Sequence, residues 1–295
     1  MPENADTAEF ERRNNMRTRV ITGVVALCVL IPILIFSNIF LLDAGLAICC
    51  ILSVFEMLKC VGTIKKLWIS VPMLVISPLL ILSVRPLKGM MEGFSFTQVT
   101  LPVLLCAMLY LLAVMVFSKN KITIEDIAVS GFMAAYITAA FASILFLRDT
   151  TGGAYTYLLV FIGAWVTDIF AYFCGMLFGK HKLIPEVSPK KTVEGSIGGT
   201  LFCGVSFILY GILIDHFVEH ATRTNLLVLF AYGIIVAIVS QIGDLCMSAI
   251  KRHYGIKDFG KIFPGHGGML DRFDSILAVA LVLLVLNGFA SVFHI

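Results

Sequence analysis

The sequence predicts an all-α polytopic membrane protein, and three observations carry the prediction. The 295-residue chain is 59% hydrophobic and only 14% charged, whereas a soluble domain carries about 25% charged residues. Its apolar residues gather into nine runs, each near the ~20 residues a helix needs to cross hydrocarbon. Its Lys and Arg residues sort to one side of those runs. In lipid, only helix satisfies the backbone of such runs from within.

Residues 1–19 form a polar cytoplasmic segment, with Arg12, Arg13, Arg17 and Arg19 just ahead of the first apolar run. The run at 20–36 is long, and no small-residue cleavage site follows it, so it reads as a retained first span rather than a signal peptide. Runs at 40–58, 68–84, 99–117 and 127–147 complete a first membrane half, residues 20–147, of five spans. Runs at 155–178, 197–218, 225–250 and 275–293 give a second half, residues 148–295, of four spans. With the N-terminus in the cytoplasm, Arg85, Lys88, Arg148 and Arg223 fall outside. The other 18 of the 22 basic residues fall inside, a strong positive-inside bias. A missed or invented span would scramble that split.

The net charge of +3 implies no nucleic-acid partner. The eight cysteines lie in or beside apolar runs, without zinc or redox spacing, and read as soft packing residues. The first half offers no motif. Its Glu56 stands near a span end and reads as a carboxylate reaching the interface. The second half carries the chemistry and is expected to be the catalytic half, with polar loops at 179–199 and 251–274.

Residues 248–274 read SAIKRHYGIKDFGKIFPGHGGMLDRFD. Five glycines and Pro264 make this a shaped loop. Its cations (Lys251, Arg252, Lys257, Lys261, Arg272) stand among carboxylates, which suits a polyphosphate carried with a metal ion. On the preceding helix, Gln241, Asp244, Ser248, Lys251 and Arg252 recur at three or four residues and share a face. The structural alternative there is an Asp244–Lys251 ion pair. Asp271 and Asp274 share one side of the next helix's first turn. They are candidate helix caps, or hard-oxygen ligands for Mg2+.

His266 lies between glycines that allow close approach to a ligand. Asp168 is a carboxylate near the middle of a span, either paired with another helix or lining a polar cavity. The loop at 179–199 offers Ser188, Lys190, Lys191, Thr192 and Ser196 to phosphate oxygens. Attraction to anionic lipid heads is the simpler alternative for that basic face. It is not a Walker loop, and no metalloprotease or serine-hydrolase signature is present.

The run Ser248-Ala-Ile-Lys251-Arg252, Lys257-Asp258-Phe-Gly260, Pro264-Gly-His266-Gly267-Gly268-Met-Leu-Asp271-Arg272-Phe-Asp274 resembles the signature of phosphatidate cytidylyltransferases, also called CDP-diacylglycerol synthases. The stretch S-P-K-K-T-x-E-G-S-x-G-G at 188–199 is similar to a second segment of that family. The compact length resembles the bacterial members, which implies a multi-pass protein of the bacterial cytoplasmic membrane. The resemblance implies transfer of CMP from CTP to phosphatidate, giving CDP-diacylglycerol and pyrophosphate. It implies Mg2+ held by Asp244 and Asp271, and in the same way a second cation such as K+. Dimers fit the family, with the first half as a candidate interface.

On this reading Asp244, Lys251, Arg252, Asp271 and Arg272 are catalytic, and Asp274 joins Asp244 and Asp271 as a metal ligand. Ser188, Lys190, Lys191, Thr192, Ser196, Ser248, Lys257, His266, Gly267, Gly268 and Asp168 bind substrate. Two other classes compete. One is a cation-coupled secondary transporter using Asp168 and Asp244. The other is a lipid-binding scaffold without catalysis.

Overall fold

The computed structural model describes residues 23, 25, 28, 30–37, 40–90, 96–119, 121–218, 224–265 and 267–293, the side chains of 86–90 and 96–101 aside. The helices are α1 (Phe40–Val61), α2 (Leu67–Met90), α3 (Phe96–Phe117), α4 (Ile124–Arg148), α5 (Leu158–Phe178), α6 (Val193–Phe217), α7 (Leu226–His253) and α8 (Leu270–Phe289). A one-turn helix, Gly153–Thr156, leads into α5. Strands β1 (Lys182–Ile184) and β2 (Ser188–Thr192) form an antiparallel hairpin between α5 and α6.

Among the described residues, seven helices are long and apolar enough to cross a membrane, and the described apolar part of α3, Pro102–Phe117, is shorter. The all-α polytopic architecture therefore stands. Of the expected span at 20–36, residues 20–22, 24, 26, 27 and 29 lie outside the described residues, and 23, 25, 28 and 30–35 are helical. All eight cysteines are unpaired.

The polar loops are shorter than expected. The segment 179–199 is a hairpin followed by helix from Val193, not a loop throughout. The Thr192 hydroxyl accepts the Gly195 amide at 3.1 Å and caps α6, so a polar first turn that hydropathy had left outside the span is helical. Likewise α7 runs on through Lys251 and Arg252 to His253, and α8 already begins at Leu270. Among the described residues between these helices, 254–265 and 267–269 are irregular.

Helix α8 is the hub. Its residues Ser275, Ile276, Leu277, Ala278, Val279 and Ala280 are all buried, and it packs against α4, α5, α7 and α1. Phe273 on its first turns meets Phe141 of α4 with ring centroids 5.2 Å apart. A boundary at residue 148 therefore does not separate two packing units. Lipid tails are as apolar as side chains, so helices in membranes gain by close backbone approach. The α5–α6–α7 layer shows this. A Cβ on Gly233 of α7 would lie 2.7 Å from the Cα of Gly204 on α6, and one on Gly199 would lie 2.7 Å from the Thr167 carbonyl of α5.

Candidate active site

The start of α8 and the end of α7 meet at one end of the bundle. Lys251 Nζ donates to Asp271 Oδ1 at 2.8 Å and lies 3.9 Å from Asp274 Oδ2. It also sits over the Phe259 ring, 5.2 Å from the centroid. Asp271 Oδ2 accepts the backbone amides of Phe259 at 2.8 Å and Gly268 at 2.9 Å. One carboxylate thus ties two separate points of the irregular segment to the helix. Gly267 makes room for it: its φ is +88°, and a Cβ there would stand 3.0 Å from Asp271 Oδ2. The Asp271 and Lys251 side chains keep only 4% and 10% exposure, so each needs the other to offset lost hydration.

A second group forms where the hairpin folds over α7. Lys191 of β2 pairs with Asp244 Oδ2, and Ser248 Oγ stands 3.5 Å from Asp244 Oδ1. The Asp244–Lys251 pair weighed from sequence does not form, because Lys251 reaches across to α8 instead. Gln241, one turn before Asp244, donates to Thr200 Oγ1 at 3.1 Å and fixes α7 against α6. Asp168 is exposed although it stands halfway along α5, and its Oδ2 accepts Ser275 Oγ of α8 at 3.3 Å. Asp244, Lys191 and Arg272 are near enough to act on its charge. Asp168 and Asp244 act in turn on Asp274. Three carboxylates from three helices therefore share one field, with Lys191, Lys251 and Arg272 around them.

The remaining expected residues lie further out or do structural work. Arg252 is exposed, and its Nη1 donates to the Ile256 carbonyl at 3.3 Å. Lys257, Lys190 and Arg272 are exposed, and Ser188 pairs opposite Ile184 in the hairpin. Thr192 caps α6. Ser196, in the first turn of α6, presents its carbonyl to Gln241 Nε2 at 3.4 Å. His266 lies outside the described residues.

For a metal ion the donor set is open. Among the described residues, no three His, Cys, Asp or Glu side chains enclose a single ion by themselves. Mg2+ does not require such a cage: it keeps several waters and takes one or two carboxylates together with substrate phosphates. Asp244 and Asp274, mutually felt and held by lysines rather than by other acids, fit that pattern. Asp271 already accepts three hydrogen bonds, which leaves one lone pair, on Oδ1.

Residues 17–289 match the model of the cytidylyltransferase family. The chain belongs to that family. It is 35% identical over 271 residues to the phosphatidate cytidylyltransferase of Staphylococcus aureus strain COL, covering 92% of this chain and 98% of the relative. The Staphylococcus haemolyticus protein of the same name is 36% identical over 271 residues, and that of Staphylococcus epidermidis is 35% identical over 279 residues. Each again covers 92% of this chain and 98% of the relative. The match runs through both halves, as expected if α8 of the second half is packed by α1 and α4 of the first.

Sequence reasoning misjudged Glu56. Its side chain turns into the protein instead of outward. It is 2% exposed and accepts the Met269 amide at 3.0 Å and the Leu270 amide at 2.8 Å, at the N-terminus of α8. The signal was available: an ionisable residue inside an apolar run marks a partner, as it did for Asp168.

Proposed function

We propose that this chain transfers CMP from CTP to phosphatidate, forming CDP-diacylglycerol and pyrophosphate for phospholipid synthesis, as a multi-pass protein of a bacterial cell membrane. The observation that carries this is the family match across residues 17–289, on a chain whose Lys191 pairs with Asp244 and whose Lys251 pairs with Asp271 and stands 3.9 Å from Asp274. In the proposed topology nine spans cross the membrane, and the N-terminus and this site face the cytoplasm, where CTP is present.

A phosphate oxygen of phosphatidate attacks the α-phosphorus of CTP. A P–O bond forms there while the bond to the β-phosphate oxygen breaks, and pyrophosphate leaves with the electron pair. Phosphatidate is already ionised, so no general base is required. All reacting groups are anionic, which leaves the protein the tasks of neutralising charge and aligning nucleophile and leaving group. Lys251, Arg252 and Arg272 neutralise charge at the ends of α7 and α8. Ser188, Lys190, Lys191, Thr192 and Ser196, with Ser248, Lys257, His266, Gly267 and Gly268, contact the phosphates. Asp244, Asp271 and Asp274 are the proposed holders of Mg2+, which when bound supplies positive charge to the triphosphate; a second cation such as K+ belongs to the same proposal. The lipid approaches sideways from the bilayer beside Asp168, its acyl chains remaining in hydrocarbon.

Membership of this family does not favour the transporter alternative. Purified protein in detergent should bind CTP when Mg2+ is present and lose that binding in Asp244→Asn. A transporter driven through Asp168 and Asp244 shows no CTP binding under either condition.

A further inference from the structure

We infer that Glu56, from the motif-poor first half, is a positioning residue for this site: it holds the start of α8, and with it Asp271 and Asp274, in the geometry the transfer needs. The inference rests on the function proposed above. Glu56 lies on α1, more than 200 residues before its partners. Its two carboxylate oxygens each take one amide, Oε1 from Met269 and Oε2 from Leu270. These amides belong to the first turn of α8, where backbone donors have no partner within the helix. No side chain of α8's own N-cap residue, Met269, does this work. A carboxylate at that end also meets the positive pole of the helix.

The irregular segment is shaped around this contact. A Cβ on Gly260 would lie 2.0 Å from Glu56 Oε1, and one on Gly268 would lie 2.3 Å from it. Two glycines far apart in the segment thus close on the same carboxylate, which has no room for any larger residue. The sequence assigns Gly268 to substrate and Gly260 only to the shape of the loop, but at both positions the close neighbour is Glu56. Asp271 follows Leu270 directly and draws Phe259, Gly268 and Lys251 together. Displacing Met269 and Leu270 therefore moves Asp271, Lys251 and Asp274 as one unit. A geometry error of about 1 Å in such a constellation costs on the order of 100-fold in rate.

Glu56→Gln tests this, because the amide group brings a donor against a backbone donor and removes the charge without changing size. With labelled CTP, phosphatidate and Mg2+, the variant should lose at least tenfold in kcat, with KM for CTP changed less than threefold. Hydrogen exchange should quicken at the 259–271 segment and stay unchanged in the α5–α6 layer. Gly268→Ala, pressing on the same carboxylate, should give the same pattern, and the double variant should be no worse than the poorer single one. Asp126→Ala, which removes the Lys66–Asp126 pair at the same end of the bundle, serves as the control that perturbs structure while keeping kcat.

Wild-type protein that makes no labelled lipid defeats the proposed function itself. With active wild type, Glu56→Gln retaining half its kcat, or quickened exchange confined to regions other than 259–271, overturns the positioning role. If neither Glu56→Gln nor Gly268→Ala folds, the contact serves folding rather than the site, and the inference is equally overturned.

Discussion

The two ends of the helix bundle hold clusters of charge built on opposite plans. At the end away from the site, Arg85 is neutralised from several directions. Asp43 Oδ1 lies 2.8 Å from its Nη1, Asp149 Oδ2 lies 3.2 Å from its Nε, and the Ser37 carbonyl accepts its Nη2 at 3.0 Å. Arg148 donates to Ser37 Oγ at 2.8 Å and stands over the Tyr157 ring. Here the cations turn inward and are consumed by the fold. At the site end, Lys251 and Lys191 hold acids, but Lys190, Arg252, Lys257 and Arg272 remain exposed. A cluster that keeps cations outward and gathers acids from three helices is the arrangement that the proposed anionic substrates and metal ion call for. A cluster that closes on itself is prepared for stability.

Substitutions can break this contrast. The largest effect is expected at the site end: Asp244→Asn should lower turnover at least 100-fold while the protein keeps its thermal unfolding midpoint in detergent. Retention of more than a tenth of wild-type activity would remove Asp244 as an essential ligand. Lys251→Ala comes next, with kcat reduced by about tenfold or more, since the Asp271 carboxylate then loses the lysine paired with it; unchanged steady-state kinetics would refute the charge-neutralising role. At the far end the sign of the experiment reverses. Arg85→Ala should cost about 2–3 kcal/mol of stability, towards the low side for a buried pair because Arg85 keeps 19% of its side chain exposed. Activity per folded molecule should change less than twofold. The smallest effect is expected at Lys66→Ala, whose side chain keeps 32% exposure in its pair with Asp126. It should shift stability by under ~1 kcal/mol, as measured by the same thermal unfolding.

Much of the site was legible in the sequence because charge is conspicuous in a chain that is otherwise apolar. Asp168 and Asp244 stood out inside hydrophobic runs, and Asp271 and Asp274 stood out by spacing. Their convergence followed from placing α7 and α8 on either side of one polar segment. Lys191 was named with the phosphate-binding loop, but its pairing with Asp244 was not visible. That contact depends on a hairpin folding over α7, and no periodicity encodes it. The helix start at Leu270 was legible from the Asp271–Asp274 spacing, but the start at Val193 was missed for a simple reason. A polar first turn is invisible to hydropathy, and only the cap from Thr192 shows that it is helical. Glu56 itself was visible as a residue but not as a partner. Its counterpart is a pair of backbone amides, which have no side chain for a sequence to display.

The central claim is that this end of the bundle joins a nucleotide to a lipid. The most direct test is to incubate purified protein with cytidine-labelled CTP, phosphatidate and Mg2+ and to separate the lipid and aqueous phases. The account predicts label in the lipid phase, matched mole for mole by pyrophosphate, and none when phosphatidate is omitted or Asp244 is replaced by Asn. Folded wild-type protein that leaves all label in the aqueous phase would contradict it.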